Sequence, residues 1–150
     1  MPFSQFDTRE LFARLIQCEA GGEGENGMKA VATVIMNRAT IPYGEFSRIS
    51  QGGNVRNIIE QEKQFVCMQT SIGGIYNPQN VINMNPTDEH FAIVDWAIAG
   101  GRLLGVDHSL FFFNPYSPQC PPYFPTNVGV IHNRVGDHCF YIPTQYYPST

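Results

Sequence analysis

In the stretch LFARLIQCEAGGEGENGMKAVATVIMNRA, residues 11–39, one carboxylate stands among apolar neighbours. At about 100° per residue, Glu19 projects only ~20° from Phe12 and ~40° from Leu15, inside the stripe made by Leu11, Phe12, Leu15 and Ile16. A carboxyl on the apolar face of a helix loses solvation when it ionises, so its pKa rises and it keeps a proton near neutral pH. General-acid cleavage of a glycosidic bond requires that property. The same position also fits a structural role, either pairing with a buried Arg or capping a neighbouring helix.

The other reactive residues form weaker patterns. GGEGENG has no GK[ST] ending, and Glu23 and Glu25 would repel a phosphate, so it reads as a helix end followed by an acidic helix start. His90, His108, His132 and His138 show no zinc-ligand spacing with one another or with Cys18, Cys67, Cys120 and Cys139, so neither a metal nor a cofactor is expected. No GxSxG or Cys/His signature points to a nucleophilic hydrolase.

The elements that must position Glu19 follow from caps and periodicity. Asp7 with Glu10 has capping-box spacing, and Gly21-Gly22 ends the first helix. Asn26 is a good cap for a second, largely buried helix from about Gly27 to Ala39. Residues 40–54 and 73–86 read as loops, with a third helix over about Val55 to Lys63 between them. Thr87 opens a fourth helix that ends at Gly100-Gly101. From Ser109 the period changes: SLFFF and HCFYI read as strands, and VGVIHNRV pairs with the latter through a turn at Gly136-Asp137. The expected class is α+β, a helical body with a small antiparallel sheet in the C-terminal third.

At 150 residues the chain suits a single domain, residues 1–150. A net charge of −4 without a Lys/Arg cluster argues against nucleic acid and anionic membranes. No apolar run is long enough for a membrane span, and the N-terminus lacks the features of a signal peptide.

CEAGGEGENGMKAVATVIMNR resembles the opening motif of the SleB/CwlJ cell-wall hydrolases, roughly EA-x-GE followed by a small-residue helix ending in NR. FFFNP, CPP and DHCFYIPT resemble that family's later motifs in the same order, and the last two are similar to the short CwlJ branch of spore cortex-lytic enzymes. The resemblance spans about residues 11–144. It implies a lysozyme-like, mostly helical catalytic fold that cuts the glycan strands of spore cortex peptidoglycan during germination. It also implies a location at the boundary of spore coat and cortex, with tethering by a coat anchoring protein.

In the family's motif the catalytic acid is the first glutamate, which falls on Glu19. Gln64 and Phe65 match a segment usually written GQF, here with Lys63 in the glycine's place, and would line the sugar cleft. Phe113 and Asn114 match the aromatic-x-Asn-Pro segment, where the amide would bind an N-acetyl group or simply form a turn before Pro115. His138 would either orient the sheet edge or touch substrate.

With no convincing second carboxylate, the single acid suits a lytic transglycosylase. The alternatives are an N-acetylmuramoyl-L-alanine amidase and a non-catalytic spore coat or interaction protein. Cys120 and Cys139 both lie in motifs shared with the short branch. Outside a reducing cytoplasm they are expected to pair, with Cα atoms about 4.4–6.8 Å apart. Cys18 is expected to remain a free, buried thiol.

Overall fold

The computed structural model describes residues 3–150. Helix α1 covers Thr8–Ala20. Asp7 caps it by accepting the Glu10 N–H at 2.8 Å, while the Glu10 side chain pairs with Arg14 and leaves the capping box half made. The predicted stripe is the buried one, with Leu11, Phe12, Leu15 and Ile16 fully covered. A 3-10 turn at Gly21–Glu23 leads into α2, Gly24–Thr40. This helix starts earlier than expected, so Asn26 lies inside it and does not cap it. Ala30, Val31, Ala32, Val34 and Ile35 are all fully buried, and α2 packs on α1 and on α5, Asp88–Ile98. The Thr87 N–H donates to His90 Nδ1 at 2.9 Å where α5 begins.

Three expectations need correction in the middle of the chain. Residues 40–54 contain a short helix, α3, Gly44–Ser50, where a loop was expected. Tertiary burial holds it. Phe46 stacks on Tyr147 at 5.9 Å and meets Phe111 at 5.8 Å, and its N–H donates to the Tyr147 hydroxyl. The third expected helix is shorter than its pattern: α4 covers Val55–Ile59, capped by Asn54, and the chain then turns through Lys63 at φ 62°. The second expected loop, 73–86, begins inside a small hairpin: β1, Ser71–Ile72, lies just before it, and its turn and β2, Ile75–Tyr76, lie within it.

The C-terminal third is the antiparallel sheet, in the order β3-β6-β5-β4. Its strands are β3, Phe111–Phe113; β4, Tyr123–Phe124; β5, Gly129–Val135; and β6, His138–Pro143. Turn residues Gly136 and Asp137 join β5 to β6 as expected, pairing Val135 with His138. The register shifts between Ile131 and Asn133. β4 lies in the Pro-rich stretch, pairing Tyr123 with Val130. One face of the sheet carries Phe111 and Tyr141 into the main core; Phe112 and Phe140 meet Ala30 and Val34 of α2 on the other.

Cys120 and Cys139 form a disulfide with Cα atoms 5.8 Å apart, inside the expected range. Cys18 is not a free thiol. It is bonded to Cys67, Cα to Cα 6.1 Å, because the segment after α4 folds back against the end of α1. No helix among the described residues is long and apolar enough to cross a membrane.

Candidate active site

Glu19 lies in the last turn of α1, on a cleft of about 480 Å3. The end of α1, the segment 64–67 and strands β3 and β6 line this cleft. Burial pushes the Glu19 carboxyl above its ordinary value, while the Cys67 backbone, His138 when its ring is protonated, and the Arg38 charge pull the other way. Desolvation is the largest of these effects, so the acid form is favoured.

All five other residues singled out in the sequence line the same cleft: Gln64, Phe65, Phe113, Asn114 and His138. Their settings differ. Phe65 is 3% exposed and packs on Phe112, which makes it a wall of the cleft more than a contact surface. Gln64 is exposed, with its side-chain oxygen 3.4 Å from Arg38 Nη1. Lys63 just before it adopts the left-handed conformation that glycine occupies most easily. The departure from GQF therefore keeps the bend at a cost in backbone strain. Asn114 Oδ1 accepts the Tyr116 N–H at 2.8 Å, a turn bond that leaves its NH2 group as a donor for a ligand. Tyr116, 91% exposed, stands at the rim.

Two charged residues of the cleft were not singled out. Arg38 is buried at the end of α2, where its Nε donates to the Leu110 carbonyl at 2.7 Å and its guanidinium lies 4.5 Å over the Phe46 ring. Burial pushes its pKa down to about 10, which leaves it charged at neutral pH. Its signal was available: Arg38 shares a helical face with Val31, Val34 and Ile35, the same reasoning that isolated Glu19.

Glu23 was read as an acidic helix start, and that reading is incomplete. Its Oε2 lies 2.7 Å from His138 Nδ1, and its Oε1 accepts the Asp137 N–H at 2.9 Å. A Cβ on Gly136, at φ 59°, would collide with this carboxylate. The bare turn and the reaching glutamate thus fit each other, across a separation in sequence that no local pattern could reveal. Among the described residues, no three His, Cys, Asp or Glu side chains gather as a metal-binding group.

The sequence pattern of a family described as cell wall hydrolase matches residues 22–141, beginning three residues after Glu19. The cell wall hydrolase CwlJ of Bacillus subtilis (strain 168) is 30% identical over 135 residues, covering 90% of this chain and 84% of that protein. The CwlJ of Oceanobacillus iheyensis is 32% identical over 138 residues, covering 90% and 86%. Among solved structures, the catalytic domain of the Bacillus cereus SleB protein superposes with a TM-score of 0.62 at 22% identity, covering 91% of each chain. The catalytic domain of the germination-specific lytic transglycosylase SleB from Bacillus anthracis gives 0.58 at 24% identity, covering 94% of this chain and 99% of that one. Both structural likenesses concern the fold.

Proposed function

Because this chain belongs to the cell wall hydrolase family, we propose that it cuts the glycan strands of spore cortex peptidoglycan during germination, as a lytic transglycosylase with Glu19 as its acid. The observation that carries this reading is the setting of Glu19: a carboxyl whose pKa is raised by burial, opening onto a cleft walled by aromatic rings and amide side chains. Aromatic faces and amide groups suit N-acetylated sugars, which are flat, amphipathic and rich in hydrogen-bonding groups.

Glu19 gives its proton to the glycosidic oxygen as the bond from the anomeric carbon breaks. The C6 hydroxyl of the same muramic residue then attacks that carbon and gives up its own proton. In the simplest version, the Glu19 carboxylate receives it. The new bond closes an anhydro ring, and no water is consumed. Glu23 is a second carboxylate in the cleft, but its two oxygens are engaged by Asp137 and His138, which favours a single-acid mechanism over one with a carboxylate-held water.

The test is mass spectrometry of purified cortex fragments after digestion. Anhydro-muramic ends, lighter than reducing ends by one water, support the proposal. Reducing ends would replace it with hydrolysis of the glycan, and free stem peptides would replace it with an amidase.

A further inference from the structure

Glycan cleavage by Glu19 leaves one step without a dedicated group, the removal of the proton from the attacking hydroxyl. We propose that His138 accepts that proton on Nε2 and that Glu23 is the positioning residue that makes it able to do so. This rests on the transglycosylase reading above and divides between two residues the work that Glu19 would otherwise do alone.

The geometry begins with the Glu23 carboxylate. An ionised carboxylate only accepts hydrogen bonds, so the contact of Oε2 with His138 Nδ1 at 2.7 Å places a hydrogen on Nδ1. In the neutral ring, Nε2 then carries the lone pair. His138 lines the cleft with Glu19, and Nδ1 is occupied, so Nε2 is the polar atom it can offer to substrate. Two aromatic rings also pack against it: Phe112 edge-on at 5.4 Å and Phe140, tilted, at 6.4 Å. Glu23 is held in turn, by the Asp137 N–H at 2.9 Å. A carboxylate behind an imidazole fixes its tautomer and neutralises the imidazolium that forms when it takes a proton.

The proton balance closes without another reactant. Glu19 loses a proton to the leaving oxygen, and the bond between that oxygen and the anomeric carbon breaks. The C6 hydroxyl oxygen bonds to the anomeric carbon as its proton passes to His138 Nε2. The imidazolium then returns that proton through solvent to Glu19.

The test uses purified protein and cortex fragments. His138→Ala should lower kcat by about 10²-fold, and imidazole added to the medium should restore part of it. Glu23→Gln keeps the size of the side chain but can present either its oxygen or its NH2 to the ring. It should lower kcat by about 10-fold with little change in KM, as for an interaction made in the transition state. The nitrogen NMR spectrum of His138 should change from one tautomer to a mixture. Wild-type kcat in a folded His138→Ala variant would overturn the proposal, as would a loss that imidazole leaves untouched. If His138→Ala does not fold, Glu23→Gln decides alone: a lower kcat at unchanged melting temperature supports the dyad, and an unchanged kcat overturns it. Reducing ends made by the wild-type protein would sink the transglycosylase reading, while imidazole rescue would still score His138.

Discussion

The cleft has two walls built in different ways. One is the end of α1, backed by α2, which reaches the cleft through Arg38; the apolar residues of the two helices interlock in the main core, with Leu11, Phe12, Leu15, Ile16, Val31 and Ile35 fully buried. The other is made of the segment 64–67, the Pro-rich stretch after β3, and β6. That side contributes Phe65 and Cys67 to the core, yet it is tied down by individual links: the Cys18–Cys67 and Cys120–Cys139 disulfides, and the Tyr141 hydroxyl donating to the Pro121 carbonyl at 2.8 Å. The helical wall carries the candidate acid, and the tethered wall carries the aromatic and amide groups that would meet a sugar. Many small contacts hold the first, so it tolerates change at one site. A few strong ones hold the second, so single lesions should be felt there.

The largest expected effect isolates the chemistry of the helical wall. Glu19→Gln keeps the shape and removes the proton donor, so cleavage of cortex fragments should fall by about 10²-fold or more. Circular dichroism should be unchanged and the melting temperature no lower, because a neutral amide avoids the cost of burying the charged carboxylate. Near-normal turnover by a folded variant would remove Glu19 from the mechanism.

The next experiment cuts the link that ties the second wall to the first. Replacing Cys18 and Cys67 together by Ser opens a link between residues 49 apart in sequence, and the loss of stability should be about 2–4 kcal/mol by denaturant titration. Helical circular dichroism should survive in the absence of denaturant, while activity falls because residues 64–67, which line the cleft beside Glu19, lose their anchor to α1. Equal loss of both signals would mean that the two walls are not separable.

Arg38 joins the walls, since it lies on α2 and donates to the carbonyl of Leu110, just before β3. Arg38→Met fills much of the same space but leaves that carbonyl without its donor, for a cost of about 1–3 kcal/mol. An unchanged denaturation midpoint would show that the hydrogen bond contributes little.

The smallest effect is one of pH. Because the folded-state pKa of Glu19 is raised, the folded protein binds a proton more tightly than the unfolded chain does. The stability this contributes is fully present below the ordinary carboxyl value of 4.5 and is lost as pH rises through the raised one. The Glu19→Gln variant should therefore gain relative to wild type across that interval in denaturation midpoints, while wild-type activity declines as the acid form disappears. A constant difference between the two proteins would contradict the raised pKa of Glu19.

These contrasts also mark what the sequence could reveal. The helices on the chemical side were legible because a period of 3.6 residues is written locally, as in Phe12, Leu15 and Glu19, and because Asp7 and Gly21 punctuate the first helix. The β5–β6 hairpin was legible from its alternation and from Gly136-Asp137. Helix α3 was hidden because its stability comes from Tyr147 and Phe111, far along the chain. Cys18 fitted an apolar stripe whether paired or free, and only the return of residues 64–67 decides which. Glu23 satisfied a local rule about helix starts, and that rule concealed a partner 114 residues away. Grouping Gln64, Phe65, Phe113, Asn114 and His138 came from motif resemblance, since no spacing in the chain predicts that they share a cleft with Glu19.

Gly136 offers a way of sorting other sequences. Its missing side chain makes room for the Glu23 carboxylate over the β5–β6 turn. A side chain at that position would push the carboxylate aside, and the left-handed backbone there disfavours most residues other than glycine. A glycine at that place in an alignment would mark the relatives whose turn leaves this space open.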